Sequence, residues 1–124
     1  MMNTYSFPLS TLGLPNLMIQ TSDGKRPVNI SEIVFLESAR NYTFAYLTDG
    51  SRVITSKTIG IFESPFAKHG FIRINKSIIA NLSYITESCK NEGYAIRLLN
   101  GQWHTCSRRR TSKVKKVIKQ LKTL

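Results

Sequence analysis

Beyond Glu92 the chain contains no acidic residue, although nine basic ones follow: Arg97, Arg108, Arg109, Arg110, Lys113, Lys115, Lys116, Lys119 and Lys122. Over all 124 residues, 18 Lys and Arg stand against 7 Asp and Glu, a net charge of +11. The first 92 residues are nearly balanced, so the excess is concentrated at the C-terminal end. A basic surface of that density calls for a polyanionic partner, nucleic acid first and anionic lipid second. Other scarcities exclude whole classes. Two cysteines, Cys89 and Cys106, make no disulfide framework, and Met1 to Pro8 lacks the basic start and apolar core of an export signal. No apolar run approaches the ~20 residues of a membrane span. A cytoplasmic protein with free thiols is expected. The two histidines, His69 and His104, have no carboxylate or cysteine at a ligand spacing, and Cys106 adds only a second donor to His104. Four tetrahedral ligands are therefore not in sight, and no metal is expected. Gly60, Gly70, Gly93 and Gly101 form no phosphate loop, and paired acids and nucleophile motifs are missing. The expectation is a protein that is not an enzyme, with no cofactor and no small-molecule substrate.

What the chain does have is β-branched alternation broken by turn residues. Its length suits one domain. Residues 1 to 15, with Pro8 and Pro15 and no periodicity, read as a tail or lead-in, and 16 to 124 as the domain. Strands are predicted at Leu17–Thr21, Arg26–Ile30, Ile33–Glu37, Tyr42–Leu47, Arg52–Thr55, Phe71–Ile74, Ile78–Leu82, Tyr84–Ser88, Tyr94–Leu98 and Gln102–Cys106. Asp49-Gly50 and Asn100-Gly101 are hairpin turns. Ser56 is placed to cap a short helix over Thr58–Phe66. Ser107 is placed to cap a terminal one in which Val114, Val117, Ile118 and Leu121 form an i, i+3, i+4, i+7 stripe. On the strand before it, a packed Trp103 beside an exposed His104 is expected. The fold class is mainly β, with a short central helix and a C-terminal helix.

Two polar stretches stand out. Asn75-Lys76-Ser77 separates the apolar runs Phe71–Ile74 and Ile78–Leu82, and reads as a donor-rich turn pushed out of a buried sheet. Ser107-Arg108-Arg109-Arg110 puts three cations in the first turn of a helix, where the macrodipole disfavours them. An external anion explains the placement, because free amides, the Ser107 hydroxyl and guanidinium forks all suit phosphate oxygens. Arginine also matches guanine O6 and N7. Ser56-Lys57 and Ser107-Arg108 each stand six residues beyond a hairpin glycine (Gly50, Gly101), which suggests that these corners share an edge.

These stretches carry a resemblance. Ile33-Val34-Phe35-Leu36-Glu37-Ser38, Asn41-Tyr42-Thr43, Tyr46 to Gly50, Phe71 to Ser77 with Asn81 and Ile85, Leu98 to Gly101 and Ser107-Arg108-Arg109 resemble, in order and spacing, the LytTR-type DNA-binding domain of bacterial response regulators. The resemblance covers about residues 17 to 121. It implies an elongated arrangement of small antiparallel sheets whose strand-end loops enter the major groove of double-stranded DNA at promoter repeats. Carried over position by position, it implies base contacts from Asn41, Lys76 and Arg109. Arg40, Lys57, Arg73, Asn75, Ser77, Ser107 and Arg108 become the set facing phosphate. Asn75 stands where the family usually has histidine, and Lys76 where arginine is common; a short amide and a point charge replace a ring and a fork. The chain leaves no room for the phospho-receiver that usually precedes such a module, so control through abundance, a regulatory protein partner or sequestration at a membrane is expected. A DNA-dependent dimer on a tandem repeat is expected as well. The competing readings are a basic RNA-binding β-domain, which exposed stacking aromatics would favour, and a protein-interaction module with a basic membrane-facing side.

Overall fold

Ile78, Ile79, Ala80 and Asn81 are all buried, although their side chains alternate between two faces of a strand. A strand can be buried on both faces only in the interior of a covered sheet, and the rest of the fold is built around that requirement. The computed structural model describes residues 16–21 and 24–122, with side chains placed from 28 to 121. The lead-in at 1–15 and the Ser22-Asp23 turn lie outside the described residues. Among the described residues, ten strands form three antiparallel sheets. β1 (Asn16–Thr21) and β2 (Gly24–Asn29) make a hairpin. β3 (Ile33–Ala39), β4 (Tyr42–Leu47), β5 (Arg52–Thr55), β6 (Phe71–Asn75) and β7 (Ile78–Asn81) form a five-stranded sheet in the order β5-β4-β3-β7-β6. β8 (Ile85–Lys90), β9 (Tyr94–Leu98) and β10 (Trp103–Thr105) form the third, with β9 central. The helices are α1 (Gly60–Ala67) and α2 (Arg108–Lys122).

The five-stranded sheet separates two cores. On one face Ile33, Leu36, Ala45, Leu47, Val53, Phe71 and Ile79 pack against Phe62 and Phe66 of α1. On the other, Val34, Phe35, Ile72, Ile74, Ile78 and Ala80 pack against Tyr94, Ile96 and Leu98 of β9 and Val114 and Ile118 of α2. Val34 and Phe35 share a face because the register of β3 against β4 shifts between Ile33 and Phe35. Asn81, 3% exposed, is a buried amide with both ends satisfied: its nitrogen donates to the Ile33 carbonyl at 2.9 Å and its oxygen accepts from Ser83 N at 3.0 Å. In α2, Val114 and Ile118 are buried and Val117 partly so, while Leu121 is 45% exposed at the end of the stripe.

Two local expectations are corrected. Ser56 does not cap α1; the helix begins at Gly60 after Ile59, which makes no side-chain cap bond. Thr43 Oγ1 and Thr55 Oγ1 instead donate to the Lys57 carbonyl, at 2.8 and 3.4 Å, which ties the Ser56-Lys57 corner to the strand ends. On β10 the two aromatic residues are exchanged: Trp103 is 46% exposed, while the His104 ring turns inward, 4.8 Å from that of Phe35. His104 faces Ile96 across the ladder, a core residue, and Trp103 faces Arg97 on the outer side.

Candidate nucleic-acid interface

Antiparallel pairing brings the expected corners together. Ala39 pairs with Tyr42, Thr43 with Thr55, Glu37 with Ile78 and Asn75 with Ile78. The ends of β3, β5 and β6 and the starts of β4 and β7 therefore meet at one end of the five-stranded sheet. That end carries three connections: Arg40-Asn41, Ser56-Lys57 and Lys76-Ser77. Hydrogen bonds tie them to each other and to α2. Ser38 N donates to the Ser77 carbonyl at 2.9 Å, and Ser107 N donates to the Ile74 carbonyl at 2.9 Å. Asn75 Nδ2 donates to the Thr105 carbonyl at 2.7 Å while its oxygen accepts from Ser77 N at 2.7 Å. The start of α2 is thus fixed beside the β6–β7 turn. Asn75, Lys76, Ser77, Ser107, Arg109 and Arg110 line a shallow concavity between them.

Around this end, Arg40, Asn41, Lys57, Lys76, Arg108 and Arg109 are exposed, and none of these five cations joins an ion pair among the described residues. Arg40 has a φ of +57°, the left-handed region that favours glycine, as the first residue of a two-residue turn. Ser107 caps α2 through its backbone: its carbonyl accepts from Arg110 N at 3.1 Å and Thr111 N at 3.0 Å. Among the described residues, the amides of Arg108 and Arg109 have no internal acceptor.

Arg73 faces inward, and the amide of Asn75, at the wall of the concavity, is taken up by backbone partners. Arg73 Nε donates to the Asn75 carbonyl at 3.2 Å, Nη2 to the Lys76 carbonyl at 2.7 Å and Nη1 to Glu63 Oε1 at 2.9 Å. Its guanidinium holds the β6–β7 turn from behind, and its side chain is only 16% exposed. Arg110, third of the arginine run, donates to the other Glu63 oxygen at 3.1 Å. Hydrogen bonding from Arg73 holds the Glu63 carboxyl below the usual carboxylate range; partial burial opposes this and Arg110 reinforces it. Sequence reasoning missed Glu63, whose partners lie 10 and 47 positions away, outside any local pattern. It also missed Thr43, 0% exposed, whose hydroxyl fixes the Lys57 corner; the only hint was its place in the Asn41-Tyr42-Thr43 segment. Among the described residues no group of His, Cys, Asp and Glu is placed to hold a metal ion, and burial pushes the Cys106 thiol up to about 11.

A strand-rich domain with unpaired cations and free amides gathered at one sheet end belongs to the class of polyanion-binding modules. Comparison makes the class specific. The profile of the LytTr DNA-binding domain matches residues 23–119, and the chain belongs to this family of DNA-binding domains. Among solved structures, the chain is similar to the LytTr DNA-binding domain of a protein described as a methyl-accepting/DNA response regulator from Bacillus cereus. The TM-score is 0.74 at 23% identity, covering 86% of this chain and 98% of that one. At that identity the likeness speaks for the fold. No curated protein sequence matches the chain. No helix among the described residues is long and apolar enough to cross a membrane.

Proposed function

We propose that the chain is the DNA-reading module of a bacterial transcription regulator, binding specific duplex sites by setting the corner-bearing end of its five-stranded sheet into the major groove. The observation that carries this reading is the convergence of Arg40, Lys57, Lys76, Arg108 and Arg109, all exposed and unpaired, from four separate chain segments. A generic solubilising charge would be spread over the surface. Lys76 projects from a turn held by Arg73 and Asn75, and Arg109 from a helix start anchored to Ile74, so both carry preorganised donors towards base edges, with Asn41 as the third. Arg40, Lys57, Ser77, Ser107 and Arg108 are assigned to phosphate, and Arg73 and Asn75 to holding the turn. The free amides of Arg108 and Arg109 add to the phosphate site. One domain covers one half-site, and two domains occupy a tandem promoter repeat as a DNA-dependent pair.

Competition binding on a duplex selected from a random library, and on its scrambled counterpart, tests the assignment. Arg109→Ala is expected to weaken the selected duplex by about 1–3 kcal/mol and the scrambled one far less. Lys119→Ala, exposed on the far half of α2, is expected to weaken both equally and slightly. Equal loss on both duplexes from Arg109→Ala would show that Arg109 only holds phosphate. Selection of structured RNA over duplex DNA would replace the reading altogether.

A further inference from the structure

Glu63 lies on none of the corners that face the proposed ligand, yet both of its oxygens are committed to residues that support them. β6 is an edge strand, and the two helices clasp it from opposite faces: Phe62 and Phe66 of α1 share a core with Phe71, and Val114 and Ile118 of α2 share the other with Ile72 and Ile74. The Glu63 carboxylate joins the two sides. Oε1 accepts from Arg73 Nη1 at 2.9 Å and Oε2 from Arg110 Nη1 at 3.1 Å. Because each oxygen takes a different guanidinium, the chain of contacts is continuous. It runs from the Lys76 carbonyl through Arg73 and Glu63 to Arg110, the neighbour of Arg109.

Electrostatically the placement is adverse for a phosphate-binding surface. The side chain of Glu63 is 37% exposed, and Arg110, which it holds, lines the concavity with Lys76 and Arg109. An acid there lowers the positive field that attracts DNA. Its geometric contribution runs the other way, since one carboxylate accepting a charge-assisted bond from each arginine ties the two guanidiniums at a set separation. Resting on the reading that Lys76 and Arg109 meet base edges, we infer that Glu63 is a positioning residue for base discrimination, setting the separation between the Lys76 turn and the Arg109 helix start. It trades total affinity for specificity.

Charge and geometry separate experimentally. Glu63→Asp keeps the charge but draws the carboxylate back from both guanidiniums by one methylene; Glu63→Gln removes the charge. Glu87→Gln removes an equal charge from the Arg97 pair on the outer sheet and is the control. On selected and scrambled duplexes, both Glu63 variants are expected to lower the ratio of the two affinities about tenfold. Glu63→Gln should leave scrambled binding equal or tighter, and Glu87→Gln should change both duplexes alike. In the DNA-free full chain, the amide resonances of Lys76 and Arg109 should both move in Glu63→Asp. If Glu63→Gln fails to fold, Glu63→Asp alone decides. A wild-type ratio in Glu63→Asp, or unmoved Lys76 and Arg109 amides, overturns the role of Glu63 and leaves the DNA reading standing. A wild-type chain without duplex preference overturns both.

Discussion

Arg40 gives a perturbation whose two effects have opposite signs. The β3–β4 connection is two residues long, and Arg40, its first residue, has a φ of +57°. A residue with a Cβ is disfavoured there by roughly 1–2 kcal/mol. Glycine avoids that cost but loses about 0.5–1 kcal/mol through the greater freedom of the unfolded chain. The difference predicts that Arg40→Gly stabilises the fold by about 0.5–1 kcal/mol, a rise of roughly 2–5 °C in Tm for a chain of this size. No internal partner is lost, because Arg40 joins no ion pair among the described residues. If Arg40 meets a phosphate, the same change weakens every duplex alike and makes the slope of log K against log salt shallower by about 0.9. Arg40→Ala separates the two effects: it loses the charge but keeps the Cβ, so binding weakens as in the glycine variant without the gain in Tm. Thermal melting and a salt titration read both quantities. A lower Tm for Arg40→Gly would refute the account of the turn. A higher Tm with an unchanged salt slope would remove Arg40 from the interface.

Two further outcomes follow from the same geometry. With Arg40, Lys57 and Arg108 assigned to phosphate, wild-type binding should show a salt slope of about −3 or steeper, and a slope near zero would take the basic corners out of the mechanism. His104 Nε2 is buried without a partner among the described residues, and burial holds the ring's pKa below its ordinary value, with Glu37 pulling upward. The folded state therefore keeps His104 neutral while the unfolded chain protonates. The associated stability is fully present above a pH of about 6.5 and declines as pH falls below it. His104→Leu should flatten the stability profile between about pH 7 and 5.5 and raise stability at pH 7 by about 1 kcal/mol, because an unsatisfied polar atom is removed. Urea midpoints across that range measure it, and a variant that retains the wild-type slope would assign the titration to another group.

The strands were legible because their signals are local. Asp49-Gly50 and Asn100-Gly101 dictate hairpins, and the runs at 71–74 and 78–82 are too short and too β-branched for helices. The buried stripe of α2 was legible for the same reason, down to Val114 and Ile118. Trp103 and His104 were misplaced because a three-residue strand offers its two faces equally to any alternation rule. The choice is made by Phe35, far back in sequence, whose ring meets that of His104. Arg73 reads as one more basic residue near a basic turn. Only Glu63 and the carbonyls of Asn75 and Lys76, brought up by the edge position of β6, turn its guanidinium into the support of that turn. The convergence of the corners follows from strand order, which no single segment encodes.

The arginine run illustrates how the structure resolves a conflict visible in the sequence. Each cation in the first turn of a helix opposes the macrodipole by about 0.3–1 kcal/mol. Arg110 is relieved by Glu63, an acid delivered from the other helix across β6. Among the described residues, Arg108 and Arg109 receive no such relief, and the amides of the same two residues are the ones left without an internal acceptor, since Ser107 N is bonded to the Ile74 carbonyl and the amides of Arg110 and Thr111 to that of Ser107. Two unpaired guanidiniums and two open amides thus coincide. The dipole that disfavours the arginines favours any anion seated among them, so one bound phosphate reverses the sign of the helix-end electrostatics and satisfies the amides together. Folding alone leaves this position unsatisfied, and under the proposed function a backbone phosphate of the DNA is the group that would complete it.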